Sequence, residues 1–243
     1  MASFGKVVNK VIEKSDIVLE ILDARFIEET RNRRIENKAK ILIHVINKCD
    51  FVDKNYLNKI KKELENCVFV SATKHFGMTL LRKKIKQLAN KEMPIVGVVG
   101  YPNVGKSSII NALKGKKSAR TSKEASFTKG QQYLNIDNSF LMIDTPGIIP
   151  KRKNNEQELV IIGAKNPYSI KDPDLAVITL LEKNPGLIEK VYGVEKKSDK
   201  EETIKDIALK LNFKKKGNLP DFERASRVIL QDWLDGKMSE IFH

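Results

Sequence analysis

Apolar residues recur along this chain in two alternating rhythms. Val7, Val8, Val11 and Ile12 fall at helical spacing and predict an amphipathic helix over 6–15. The short apolar run Ile17 to Leu22 then predicts a buried strand that ends in Asp23-Ala24-Arg25, and Ile41 to Ile46 predicts a second that ends directly in Asn47. Residues 26–39 between them are polar and read as irregular. Asp53 caps a predicted helix to Glu65, Val68 to Val70 reads as a strand running into Ser71-Ala72-Thr73, and Leu80, Leu81, Ile85 and Leu88 share one face of a helix over 79–90. Ile95 to Val99 predicts a strand feeding a glycine-containing loop, with a helix from Ser107 to Leu113 behind it. Residues 114–132 are long, polar and without period, which predicts a mobile segment. Tyr133 to Ile136 and Phe140 to Ile143 predict a hairpin about Asp137-Asn138. Strands alternating with helices indicate a mostly parallel sheet with helices on both faces.

The rhythm changes after Gly147. Residues 151–170 are basic and polar, with Pro167, and from Lys171 onward every predicted element is a helix: 172–183, 185–192, 199–211 and 221–235. The expected organisation is an α/β domain over 1–165 and an all-helical domain over 171–243, without internal repeats.

Composition narrows the setting. The 243 residues are 41% hydrophobic, ordinary for a globular protein. No apolar run approaches the roughly 18 residues of a membrane helix, and Met1 to Lys6 leads into an amphipathic stretch, so no membrane association is expected. Cys49 and Cys67 show no metal-ligand spacing and read as free thiols of a reducing, cytoplasmic protein. The net charge of +14 makes a polyanion a candidate partner, with a solvated Lys-rich surface as the alternative. The basic clusters Arg31 to Arg34, Lys114 to Lys117, Lys151 to Lys153 and Lys214 to Lys216 fall mostly in aperiodic stretches, where an RNA backbone is a reasonable target.

The candidate chemistry lies at the strand ends. Gly100-Tyr101-Pro102-Asn103-Val104-Gly105-Lys106-Ser107 has the strand-loop-helix context of a phosphate-binding loop. Gly100 and Gly105 let the backbone curl so that N–H groups point at phosphates. Lys106 is placed to neutralise the β- and γ-phosphates and Ser107 to give a hydroxyl to Mg²⁺; Val104 and Ser108 complete that set. Asn47-Lys48-Cys49-Asp50 closes a buried strand, and its Asp50 carboxylate can accept from both the N1–H and the amine of guanine, a bidentate fit adenine does not offer. The Lys48 stem can lie over the base, and a backbone N–H of Ser71-Ala72 can donate to the guanine O6. Asp144-Thr145-Pro146-Gly147 ends the last strand, with Asp144 toward Mg²⁺ and the Gly147 N–H toward the γ-phosphate. Thr128 would close over Mg²⁺ and γ-phosphate when GTP is bound. The candidate catalytic residues are Lys106, Thr128 and Gly147.

The order of these motifs is inverted. The guanine motif leads, Ser-Ala follows, then the phosphate loop, the Thr and Asp-Thr-Pro-Gly. In that order the chain resembles the circularly permuted GTPases of the YlqF/YawG type (TRAFAC class), GTPases of large-ribosomal-subunit assembly. The resemblance takes in Asp23-Ala24-Arg25 with Thr30-Arg31-Asn32, and the tail Asp221 to Lys237. It implies a P-loop, Rossmann-like GTPase domain of permuted motif order with a small helical C-terminal domain, and a chain monomeric off the ribosome that binds rRNA and a large-subunit precursor. It further implies K⁺ at Asn103, able to balance transition-state charge beside the phosphates. Ile148 stands where many GTPases keep a catalytic Gln, which implies slow intrinsic hydrolysis and outside stimulation. Two departures stand against the family pattern. Bacterial members carry an N-terminal Gly-His-Met whose His is implicated in hydrolysis, whereas no His precedes His44 here, and His44 reads as a satisfied core residue. Ala125-Ser126 replaces the Pro-Gly usual before the switch Thr. The alternative is a GTP-gated RNA-binding scaffold with negligible turnover. The permutation also places Asp144 to Gly147 directly upstream of the helical domain, so GTP is expected to act on that domain through residues 145–165.

Overall fold

Six apolar runs become strands: β1 (Ile17–Asp23), β2 (Leu42–Asn47), β3 (Cys67–Phe69), β4 (Ile95–Gly100), β5 (Tyr133–Ile136) and β6 (Phe140–Asp144). They form one sheet in the order β3-β2-β1-β4-β6-β5. Every pairing is parallel except β5 with β6, the expected hairpin. A computed structural model of the protein describes residues 4–115, 133–144 and 155–238, by backbone alone at 4–7 and 144. The chain divides into two compact units, Met1–Arg152 and Lys153–His243.

In the first unit the sheet carries the helices α1 (Phe4–Lys14), α2 (Ile27–Thr30), α3 (Arg33–Glu36), α4 (Lys54–Glu63), α5 (Met78–Leu88) and α6 (Lys106–Lys114). All seven residues of β1 are buried, as befits a central parallel strand covered on both faces. Period two puts Val18, Glu20 and Leu22 on one of those faces. Val18 belongs to an apolar cluster with Val8, Val11 and Ile35, and Leu22 to another with Ile27, Ile46 and Ile60. Glu20 lies between the two clusters, level with its register partner His44 on β2.

Two short helices stand where irregular chain was expected. Helix α2 delivers Ile27 to one cluster and α3 delivers Ile35 to the other. Each is a single turn, with Ile27 and Thr30 buried in α2 and Ile35 in α3, too short to register as a period. The Asn32 side chain caps α3 by accepting from the Arg34 N–H at 3.1 Å, so Arg33 and Arg34 belong to a helix rather than a loop. Asp53 caps α4 as expected, accepting from the Tyr56 N–H at 2.8 Å.

The second unit is helical: α7 (Glu156–Ile161), α8 (Pro173–Lys183), α9 (Leu187–Tyr192), α10 (Lys200–Lys210) and α11 (Phe222–Leu234). It begins earlier than the expected boundary at 165–171. Helix α7 is capped by Asn155 and buries Leu159, Val160 and Ile161, an apolar run short enough to be masked by its polar neighbours. Trp233 on α11 donates its indole N–H to the Ile161 carbonyl at 3.0 Å, and Arg227 donates to Pro167 O at 2.6 Å and Ile170 O at 3.3 Å. Those bonds tie residues 161–170 to the helical unit. Among the described residues no helix is long and apolar enough to cross a membrane.

Candidate functional site

Parallel strands end on one edge, and ligands of open α/β sheets bind at the carboxyl ends. That edge holds Asp23 from β1, Asn47 from β2, Ser71 beyond β3, Gly100 from β4 and Asp144 from β6, whose backbone pairs with Val98.

The loop from Gly100 to Lys106 is shaped by residues that accept positive φ. Gly100 has φ +152°, and a Cβ there would stand 2.7 Å from Ile21 O on the neighbouring strand. Gly105 has φ +99°, and a Cβ would fall 2.1 Å from Asn47 Nδ2. Asn103, also left-handed, lies exposed between them. Lys106 then opens α6, with its side chain buried and its ammonium donating to Tyr101 O at 2.5 Å. Ser107 and Ser108 follow it in the first turn, both exposed.

Asn47 connects three of the predicted motifs. Its amide nitrogen donates to Val104 O at 2.8 Å, and its amide oxygen accepts from the Ala72 N–H at 3.2 Å. One buried side chain thus holds the phosphate loop and the Ser71-Ala72 turn to the end of β2. The turn is closed by paired backbone bonds between Ser71 and Phe76, at 3.1 and 3.0 Å.

Lys48 takes a left-handed conformation, φ 59°, and directs its ammonium to Asp23 Oδ2 at 2.8 Å. The same carboxylate receives Arg25 Nε and Nη2, each at 3.0 Å. Burial pushes the fully enclosed Asp23 carboxyl up, but Arg25 and Lys48 more than offset this and hold it below the usual carboxylate range. The Arg25 guanidinium lies 5.2 Å from the Phe26 ring centre and 5.1 Å from that of Phe51, so it is also packed between aromatic faces. Asp50 sits in the turn after Lys48 and pairs with Lys74 at 3.1 Å. Between them, burial and the Asp50 charge push the Cys49 thiol up to about 11, which makes it unreactive as a nucleophile.

The structure therefore brings Asn47, Lys48, Asp50, Ser71, Ala72, Asn103, Val104, Gly105, Lys106, Ser107 and Ser108 to one edge of the sheet. Asp144 arrives there by its backbone. Thr128, Gly147 and Ile148 lie outside the described residues. Asp23 has a role the motif reading did not assign: it is the common anchor of Lys48 and Arg25. An acid directly after a predicted strand was the available signal, and the structure puts it in register with Asn47. His44 departs from expectation as well. It is buried, with Nδ1 facing Glu65 O at 3.5 Å, while Nε2 lies near the Glu20 and Glu36 carboxylates without a hydrogen-bond partner.

Comparisons with known proteins agree with this geometry. A family model described as RsgA GTPase matches residues 12–151, and one described as 50S ribosome-binding GTPase matches residues 95–215. The chain is 40% identical, over 96% of its length, to an uncharacterized GTP-binding protein of Methanocaldococcus jannaschii, of which it spans 65%. It is 32% identical to nucleolar GTP-binding protein 2 of Neurospora crassa, covering 94% of this chain and 40% of that one. It thus spans between about two fifths and two thirds of the curated relatives it matches here. GNP-bound YlqF from T. maritima superposes with a TM-score of 0.71 at 26% identity, over 96% of this chain and 94% of that one.

Proposed function

The chain belongs to the circularly permuted GTPases matched by the RsgA GTPase model, and from that premise we propose that it hydrolyses GTP to GDP and phosphate as a gated step in large-ribosomal-subunit assembly. The observation that carries this reading is the pair of hydrogen bonds made by the Asn47 amide, which joins the guanine motif, the Ser-Ala turn and the phosphate loop across an inverted chain order.

In this reading Asp50 reads the guanine edge, the Lys48 stem covers the base while Asp23 holds its ammonium, and Ser71-Ala72 offers backbone N–H groups to O6. The curled loop and the N-terminus of α6 hold the β- and γ-phosphates, an anion site made by backbone N–H groups and the helix dipole. The buried Lys106 ammonium, resting on a carbonyl, is ready to exchange that partner for a phosphate oxygen. Ser107, Asp144 and Thr128 would hold Mg²⁺, which neutralises charge developing on the phosphates. The exposed Ser107 hydroxyl at the head of α6 suits that role. Asn103 would hold K⁺, and the Gly147 N–H would meet the γ-phosphate.

The proposed partners are rRNA and a large-subunit precursor, for a cytoplasmic chain that is monomeric off the ribosome. Support comes from the net charge of +14, the 50S ribosome-binding GTPase match and the nucleolar name of a relative. The test is single-turnover GTP hydrolysis in K⁺ against Na⁺, with and without large subunits. Slow turnover that rises with K⁺ and with subunits is expected. Turnover indistinguishable from uncatalysed hydrolysis under all four conditions would make the chain a GTP-gated RNA-binding scaffold instead, as Ile148 in place of a water-orienting Gln would allow.

A further inference from the structure

Away from the nucleotide edge, Glu20, His44 and Glu36 converge between the two apolar clusters. Glu20 and His44 are register partners on β1 and β2, and Glu36 reaches them from the last position of α3. The Asn32 backbone N–H donates to Glu20 Oε1 at 2.7 Å. The other oxygen, Oε2, lies 3.4 Å from His44 Nε2, and Glu36 Oε1 lies 3.5 Å from the same nitrogen. One ligand atom from each of the three residues falls within 4.8 Å of the other two. Glu20 is 0% exposed and His44 7%, yet Glu20 Oε2 and His44 Nε2 have no hydrogen-bond partner. Such buried, unpartnered atoms are rare and costly.

The geometry says what is lacking. His44 Nδ1 faces the Glu65 carbonyl, which can only accept, so the ring proton belongs on Nδ1. Nε2 then presents a lone pair to two carboxylate oxygens, and a cation between them is the natural complement. The separations are long for a direct hydrogen bond, whose usual length is about 2.9–3.0 Å. They fit a coordination shell: zinc bonds of about 2.0–2.1 Å to N and O put neighbouring tetrahedral ligand atoms about 3.3–3.4 Å apart. A carbonyl behind the ligating imidazole is also the usual outer support of such sites. Glu36 Oε1 is shared with Arg31, so a metal there would compete with that ion pair.

We propose that Glu20, His44 and Glu36 bind a divalent transition-metal ion of the zinc class, separate from the nucleotide edge, and that this ion pins the basic segment Arg31 to Arg34 to β1 and β2. One imidazole with two carboxylates favours zinc or its first-row neighbours over Mg²⁺ and Ca²⁺, which take oxygen ligands. The first two residues of the basic segment are already tied to this cluster, Arg31 through Glu36 and Asn32 through Glu20. A metal would make that attachment three-sided.

The test is titration of the full chain, stripped with chelator and saturated with GDP and Mg²⁺, with Zn²⁺ by calorimetry and with Co²⁺ by visible absorption. One equivalent of Zn²⁺ and the intense visible bands of four-coordinate Co²⁺ are expected. His44→Phe and Glu36→Gln should each weaken Zn²⁺ by about tenfold or more and abolish the Co²⁺ bands. Glu63→Gln, on the exposed face of α4, should leave both unchanged, and GDP affinity should be equal in all variants. Glu36 lies on a partly exposed single-turn helix, so Glu36→Gln provides a reading even where His44→Phe misfolds. Absence of saturable Zn²⁺ binding in the native chain, or full retention of it in Glu36→Gln, would overturn the proposal and leave the cluster as a proton-sharing pair.

Discussion

Glu20 and Asp23 stand three residues apart on the same strand, both enclosed, both carboxylates, and they meet opposite surroundings. Asp23 points to the nucleotide edge, where Arg25 and Lys48 close on it with three contacts between 2.8 and 3.0 Å. Those cations outweigh the cost of burial. Glu20 lies on the other face with a single backbone N–H and the like charge of Glu36 nearby, and burial pushes its carboxyl up to about 8. One carboxylate is complete within the protein and serves to position its neighbours. The other is left with an unpartnered oxygen facing an unpartnered nitrogen. A satisfied buried acid marks a preorganised site, and an unsatisfied one points to something the protein acquires.

The contrast is open to three tests, in descending order of effect. Asp23→Ala leaves Arg25 and Lys48 without their common partner in a buried setting, and denaturant unfolding should show a loss of about 3–5 kcal/mol. A loss below about 1 kcal/mol, the range of a surface pair, would show that Asp23 anchors nothing. Asn47→Ala strands the Val104 carbonyl and the Ala72 N–H and should cost about 1–3 kcal/mol in the same assay. It should also speed release of a fluorescent GDP analogue, because phosphate loop and base turn lose their common link. Normal release with lowered stability would confine Asn47 to a structural role. Glu20→Gln keeps the acceptor for Asn32 N–H while removing a buried ionisable group. In chelator, its stability should match the native chain or exceed it by up to about 1 kcal/mol. A clear loss there would mean that the Glu20 carboxyl is already well partnered and the contrast false.

The parts of this architecture legible in the sequence are those where chemistry and local structure coincide. The phosphate loop needs a strand before it and a helix after it, and the apolar runs flanking Gly100 and Ser107 supply both. Asn47 closes a run of buried residues, so its place at the sheet edge follows from that run. Other features depend on contacts that no local pattern encodes. Helix α2 buries Ile27 and Thr30 and helix α3 buries Ile35 alone, too few positions to show a period. The bond from Asn47 to Val104 joins residues far apart in sequence, and its tightness shows only in the 2.1 Å left for a Cβ at Gly105. His44 sat in an apolar run and read as a satisfied core residue, because Glu36, which approaches it, comes from a stretch that read as irregular. The Asp23-Ala24-Arg25 segment signalled a family before it signalled a function. Its purpose required Lys48 to turn left-handed and point back toward it.

The strand order has a consequence for how the protein could be divided. β3, β2 and β1 all precede residue 89, and β4, β6 and β5 all follow residue 94, so the sheet has one seam, between β1 and β4. Base-reading residues lie on one side of it and phosphate-holding residues on the other, stitched by the Asn47 amide. A chain severed between 89 and 94 would yield two pieces, each with half of a nucleotide site. A guanine nucleotide would then act as a molecular glue between them, and the permuted order supplies the blueprint for a split reporter that assembles on its ligand.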